Sequence, residues 1–248
     1  MTSNTHQQIT THLLTTKSLP VSPTWLTTFL TSTSTSTTST SRTIPLSALT
    51  QTALFRILTS DIRDSLSTTN PSTLLPVDIF DPTIQERRVN GPIPLQVLDI
   101  EDIGTSLWSQ VEAIERVERG EAIRGREIVR TVNVGEDSEA AAAENNNNNN
   151  NNNNAGGGGD SNGPHRLILQ DAAGTRAVGV EFAKVNGIGL GKLAIGAKVV
   201  VRDVTVARGL VMLTPESCVV LGGKIEGLDV QWREGRKERL LGRINGGV

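Results

Sequence analysis

The sequence predicts an α+β chain: an N-terminal three-helix bundle, then a five-stranded barrel with a long insertion between its first two strands. Three observations carry this. Before residue 80, apolar side chains recur at helical spacing. From Gly91 onward they fall into short runs that alternate with polar residues and stop at glycine-containing turns. Between the first such run and the others lies a tract, Asn145 to Asn154 followed by Gly156 to Gly159, that has almost nothing to bury. The boundaries that follow are a helical domain over residues 1–80, with a Ser/Thr loop over 31–41, and a barrel domain over 81–248. The second contains the insertion at 105–164 and a C-terminal helix at 225–244.

Ile9, Leu13 and Leu14 form the stripe of a first helix. Ser22 then caps a second, with Pro23 at its first helical position and Trp25, Leu26, Phe29 and Leu30 inside. Thr31 to Ser41 is an unbroken Ser/Thr run that offers no apolar surface to a core. Pro45 opens a third helix. Leu46, Leu49, Ala53 and Ile57 line one stripe and Leu54, Leu58, Ile62 and Leu66 its neighbour, until Asn70-Pro71 ends the pattern.

Ile93, Leu95 and the run Gln96 to Ile103 read as the first strand. Trp108, Val111, Ile114 and Val117 then recur as a helix, with Glu112–Arg116 and Glu115–Arg119 as i,i+4 ion pairs and Gly120 as its stop. Order resumes at His165. Leu167 to Leu169, Val178 to Phe182, Ala197 to Val206, Leu210 to Leu213 and Val219 to Leu221 are short strands, with turns at Asp171 to Gly174 and Arg208-Gly209. In the second of these runs Phe182 is in phase with Val178 and Val180, which predicts a core position. Leu228, Trp232, Leu240 and Leu241 belong to a terminal helix weakened at Gly235. Such strands around one helical piece are the pattern of a Greek-key barrel of the OB-fold type.

Composition narrows the chemistry. Net charge is −2, yet residues 105–164 carry 5 basic and 10 acidic groups while residues 165–248 carry 13 and 8. A mild basic excess suits either nucleic acid or a solvated face. Cys218 is the single cysteine, which excludes an internal disulfide and a cysteine-based zinc site. No run approaches a membrane span, and no secretory layout opens the chain, so a reducing compartment is expected. Asp61 with Asp64, and Asp99 with Asp102, read as helix-surface and strand-end charges rather than acid–base pairs. Gly187-Ile188-Gly189-Leu190-Gly191 lacks the spacing of a phosphate loop and is read as a loop between strands. The barrel region offers only Trp108, Phe182 and Trp232 as aromatics, and each has another place, so no stacking platform for single-stranded DNA is expected.

The insertion is the most informative feature, because OB-folds commonly place binding loops there. Arg124-Gly125-Arg126-Glu127-Ile128-Val129-Arg130 mixes two β-branched residues with three arginines, which suit carboxylates of a partner or DNA phosphates. Together with Trp108, the residues Arg124, Arg126, Ile128, Val129 and Arg130 form the expected partner-binding set, while the Asn tract is expected to be disordered linker.

Longer motifs support this. Ala197-Lys198-Val199-Val200-Val201, then Arg208-Gly209-Leu210-Val211-Met212-Leu213-Thr214-Pro215-Glu216, then Val219-Val220-Leu221-Gly222-Gly223-Lys224-Ile225 stand in one order and spacing. They resemble the RecQ-mediated genome instability protein 1 family. Leu95-Gln96-Val97 to Asp102-Ile103, Ser60 to Asp64 and Val21 to Trp25 are similar to earlier parts of its pattern. The resemblance implies a three-helix domain followed by an OB-fold with an inserted loop. It implies a nuclear, non-catalytic subunit without cofactor, metal or small-molecule substrate. The implied partners are topoisomerase III, a RecQ-family helicase and, through their complex, DNA junctions, with the loop promoting decatenation and double Holliday junction dissolution. The chain stops after one such fold, as short fungal members do, which leaves a further small OB subunit in doubt. The competing expectation is an autonomous single-stranded DNA-binding OB protein, drawn from the basic C-terminal third. No site supports an enzyme.

Overall fold

Ser22 and Pro23 set the start of a helix as the sequence predicts: in the computed structural model the Ser22 hydroxyl accepts from the Trp25 N–H, and Pro23 opens the helix. The structure describes residues 2–36, 45–119 and 163–246. Its helices and strands follow in the order α1 (Thr2–Lys17), α2 (Pro23–Ser36), α3 (Leu46–Thr59), α4 (Ile62–Ser65), β1 (Glu86–Val89), β2 (Ile93–Asp102), α5 (Leu107–Glu118), β3 (His165–Gln170), β4 (Arg176–Glu181), β5 (Lys198–Val201), β6 (Val204–Ala207), β7 (Leu210–Leu213), β8 (Cys218–Gly222), α6 (Glu226–Glu234) and α7 (Arg236–Ile244). The chain is α+β, with helices leading and one sheet following.

Three helical expectations are corrected. The Ser/Thr run begins inside α2 rather than as a loop: the Thr31 hydroxyl bonds the Thr27 carbonyl, and those of Ser32 and Thr33 bond that of Phe29, so helix satisfies them. The third helix stops at Thr59, because Asp61 turns its carboxylate to the Arg63 N–H and caps the separate turn α4. The terminal helix is likewise two, α6 and α7, meeting at Gly235.

Eight strands, not five, form the described sheet, in the order β1-β6-β7-β4-β3-β2-β5-β8. Two departures explain most of the difference. The single strand expected over 197–206 breaks at Asp203, whose φ of 45° no strand accommodates, so β5 borders β2 while β6 borders β7. Since β5 and β6 are consecutive in the chain, the sheet curls back on itself. The other is β1, a short charged edge strand beside β6 whose Glu-Arg-Arg sequence carries no alternation to read.

Inside the curl lie Leu95, Val97, Leu167, Leu169, Val199, Val201, Val211 and Leu213. The helical unit has its own core, built from Ile9, Leu13, Leu26, Ala53, Ile57 and Ile62, and it reaches the sheet through Ala172 and Leu221. Polar contacts join the two units. The buried ammonium of Lys198 donates to the carbonyls of Ser60 (2.6 Å), Gly196 (2.7 Å) and Leu58 (3.4 Å). Gln96 Oε1 accepts from the Ile62 N–H, and the Arg202 guanidinium donates to the Ser18 hydroxyl.

Candidate partner-binding surface

The insertion departs from the end of β2 and returns at the start of β3, which pair so that Asp102 stands opposite His165. Its root is held from both sides. Ile103 N–H donates to the Pro164 carbonyl, and a carboxylate oxygen of Asp102 accepts from the N–H groups of Gly104 and Thr105. Gly104 and Gly163 touch back to back: a Cβ on Gly163 would fall 2.8 Å from the Gly104 Cα, so only glycine fits there. On the returning side, Glu181 accepts from the backbone N–H of His165 and meets its ring Nδ1 at 2.6 Å. Both side chains are buried, and Glu181 also takes the Val185 N–H, so this carboxylate ties three chain positions together.

From that root α5 projects as the first part of the insertion. Ser106 caps it, accepting from the Ser109 N–H, and the expected pairs Glu112–Arg116 and Glu115–Arg119 form at 3.3 and 3.8 Å. Helix α7 fastens it to the barrel domain. The buried Gln110 donates to the carbonyls of Asp102 and Thr105 and accepts from Arg236, while Lys237 bridges Glu118 (2.6 Å) and Glu115 (3.3 Å). Hydrogen bonding to Glu118 raises the Lys237 pKa, and burial lowers that of Arg236. A cleft of about 350 Å³ remains between β2, α5 and α7, with Trp232 in its wall. Arg236 and Arg239 stack over the Trp232 ring, and its indole N–H donates to Asp99.

The sequence-predicted residues divide accordingly. Trp108 stands on α5, 64 % exposed, beside this root. Arg124, Arg126, Ile128, Val129 and Arg130, like the Asn tract, lie outside the described residues. Asp61 caps a helix, Asp99 holds Trp232 and Asp102 holds the root, so these carboxylates have structural partners. Burial, with Glu181 nearby, pushes the Cys218 thiol up to about 12, and the side chain sits in the barrel core. Among the described residues no group of His, Cys, Asp and Glu could hold a metal ion, and no helix is long and apolar enough to cross a membrane.

Phe182 overturns its assignment to the core: it is 72 % exposed. In β4 the buried positions are Ala177, Gly179 and Glu181, which leaves Val178, Val180 and Phe182 on the outer face. The parity follows from Glu181 turning inward to His165, a pairing the charged side chain did not announce. Gln110, Arg236 and Lys237, which hold α5, also escaped the sequence reading; Gln110 is a polar residue on the stripe of Leu107, Ile114 and Val117, and the other two lie 119 or more residues from their α5 partners.

Comparison with known proteins adds three matches. A family model described as "RMI1, N-terminal OB-fold domain" matches residues 75–236, and one described as "RMI1, N-terminal helical domain" matches residues 13–65. The RecQ-mediated genome instability protein 1 of Schizosaccharomyces pombe is 25 % identical over 233 residues, which cover 94 % of each chain.

Proposed function

The chain belongs to the RecQ-mediated genome instability protein 1 family, and from that premise we propose that it is a non-catalytic nuclear subunit of a RecQ helicase–topoisomerase III complex. In this reading it binds topoisomerase III, and its inserted loop promotes decatenation and double Holliday junction dissolution. Family membership itself ties the chain to RecQ-mediated genome stability. The observation that carries the rest is the anchored root of the insertion. Asp102, the Gly104–Gly163 contact and the buried Glu181–His165 pair fix where the loop leaves the barrel, and α7 fixes α5. A base held this firmly sets where Trp108, on α5, stands against the barrel. The expected contact residues are Trp108 on the root and Arg124, Arg126, Ile128, Val129 and Arg130 beyond it.

Co-purification with topoisomerase III tests the reading: no stoichiometric complex, together with unaltered decatenation, would sink it. A narrower test removes Ala122 to Val134. The expected result is an unchanged unfolding midpoint, a retained complex and decatenation at least tenfold slower; full decatenation by the deletion variant removes the loop from the mechanism.

Exposed Phe182 restores one aromatic to the barrel surface and so gives the single-stranded DNA reading an observation of its own. Phe182 lines a groove with Glu86, Asp203 and Glu216 against Arg88 and Arg202, an acidic excess that opposes phosphate. Tight, salt-resistant binding of single strands by the isolated chain would reverse this preference.

A further inference from the structure

Three carboxylates and three arginines line the cleft of about 350 Å³ between β2, α5 and α7, yet the two signs are not equally committed. Each carboxylate serves the fold. Glu101 is engaged at both oxygens, Oε1 by Arg243 and Oε2 by Arg166, each at 3.0 Å. Asp102 is buried, and its Oδ1 accepts from the N–H groups of Gly104 and Thr105. Asp99 accepts from the Trp232 indole N–H and from the Ile100 N–H.

The arginines divide differently. Arg243 belongs to Glu101, whereas Arg236 and Arg239 donate only to neutral acceptors, Gln110 Oε1 at 3.2 Å and the Trp232 carbonyl at 3.0 Å. Neither forms an ion pair with a described residue. They stand one turn apart on α7, and both guanidinium groups lie 5.7 Å from the centroid of the Trp232 ring. Burial lowers the Arg236 pKa; the Asp102 charge opposes this and the Arg239 charge adds to it. An anion between the two guanidinium groups relieves that repulsion. Lys237, between them in sequence, is already held by Glu115 and Glu118. Apolar walls of Ile100, Leu107 and Leu240 complete the cleft. Arginine pairs free of carboxylates beside apolar walls are how acidic peptide motifs are received. A nucleotide fits poorly, because Trp232 is only 8 % exposed and covered by guanidinium groups, so no base can stack on it.

We propose that this cleft docks an acidic segment of a partner protein, with Arg236 and Arg239 receiving its carboxylates and Ile100, Leu107 and Leu240 seating an apolar side chain beside them. The site stands apart from the topoisomerase III reading and needs no residue assigned to that contact. Because Leu107 belongs to α5, the occupant also touches the first helix of the insertion. Charge draws the segment in, and the planar guanidinium groups fix it by paired hydrogen bonds.

The test is fluorescence anisotropy of a short labelled peptide of glutamate, aspartate and leucine, titrated with the full chain. Its counterpart carrying glutamine and asparagine at the acidic positions is expected to bind at least about tenfold more weakly. Arg236→Gln and Arg239→Gln are each expected to weaken binding of the acidic peptide about fivefold or more, with the difference shrinking as salt rises. Arg56→Gln, an equal loss of charge on exposed α3 of the helical unit, should stay within about twofold of wild type. Arg239 is exposed, so if Arg236→Gln fails to fold, Arg239→Gln decides. Equal binding of the two peptides overturns the acidic occupant. Arg56→Gln weakening binding as much as the cleft variants overturns the site in favour of general charge attraction. Binding that emerges only once Glu136, Asp137, Glu139 and Glu144 are changed to their amides overturns the partner, since the chain's own insertion then competes for the cleft. No binding by either chain overturns the site itself.

Discussion

Lys198 ends in the interior, 0 % exposed, where an ammonium group without partners would cost several kcal/mol. The three carbonyls of Leu58, Ser60 and Gly196 offset part of that cost, and Asp61 acts in the same direction. Burial is the larger effect and lowers the lysine pKa from 10.5 to about 8. A depressed lysine pKa means that the unfolded chain holds more protons above pH 8, so this residue makes stability rise with pH between about 8 and 10.5. Cys218 opposes it from pH 9 upward, because the unfolded thiol ionises near 9.0 and the folded one only at about 12. The lysine's signature therefore dominates between pH 8 and 9, where the unfolded thiol is only partly ionised. Lys198→Met keeps most of the apolar stem but leaves the carbonyls unpaired, and is expected to cost about 2 kcal/mol at pH 7. It should also flatten the slope of unfolding free energy over that window. Denaturant titrations at pH 7, 8 and 9 measure both, and an identical slope in wild type and variant would contradict the assignment. None of this was legible in the sequence, where Lys198 stood as one residue of a strand motif. Its partner carbonyls at Leu58 and Ser60 lie 140 and 138 positions away.

Among the elements, those with strong local signals were read correctly. The Ser22-Pro23 cap, the stripe and ion pairs of α5, and the apolar runs of β2 and β3 needed only neighbours within a few residues. Elements governed by distant partners were not. The break between β5 and β6 depends on a positive φ at Asp203, and the facing of β4 on a buried His165–Glu181 pair. For the candidate site, the sequence located the insertion and Trp108, but not what fastens them. The Gly104–Gly163 contact shows how narrow that fastening is. Gly163→Ala forces a methyl to 2.8 Å from the Gly104 Cα and 3.1 Å from the Asp102 carboxylate, with backbone on one side and a committed acceptor on the other. Overpacking of this kind is expected to cost about 1–3 kcal/mol. The β2–β3 ends should exchange amide hydrogens faster, and decatenation should fall while binding to topoisomerase III persists. In the chain lacking Ala122 to Val134, the same substitution should leave decatenation no lower; a further drop there would show that the glycine contact acts through something other than the loop.

At the scale of the whole molecule, the helical unit and the barrel share too many buried contacts to unfold independently. Lys198 and Gln96 take up backbone groups of the helical unit, Leu221 packs into its core, and Gly223 lies directly against the end of α3. A single transition is therefore expected for the wild-type chain, with far-ultraviolet circular dichroism and tryptophan fluorescence coinciding. Gly223 tests the coupling most sharply. Its φ is +96°, and a Cβ there would run into the Leu58 carbonyl oxygen, so alanine brings both backbone strain and a collision with the helical unit. The collision is relieved if the end of α3 moves away, which also withdraws the Leu58 and Ser60 carbonyls from Lys198. Gly223→Ala should then separate the transitions. The helical unit, reported by Trp25 stacked on Phe29, would melt first, and the barrel, reported by the buried Trp232, afterwards. Single-tryptophan variants resolve the two signals. Transitions that still coincide in Gly223→Ala would mean that the apolar contacts of Ala172 and Leu221, rather than the polar seam around Lys198, hold the units together.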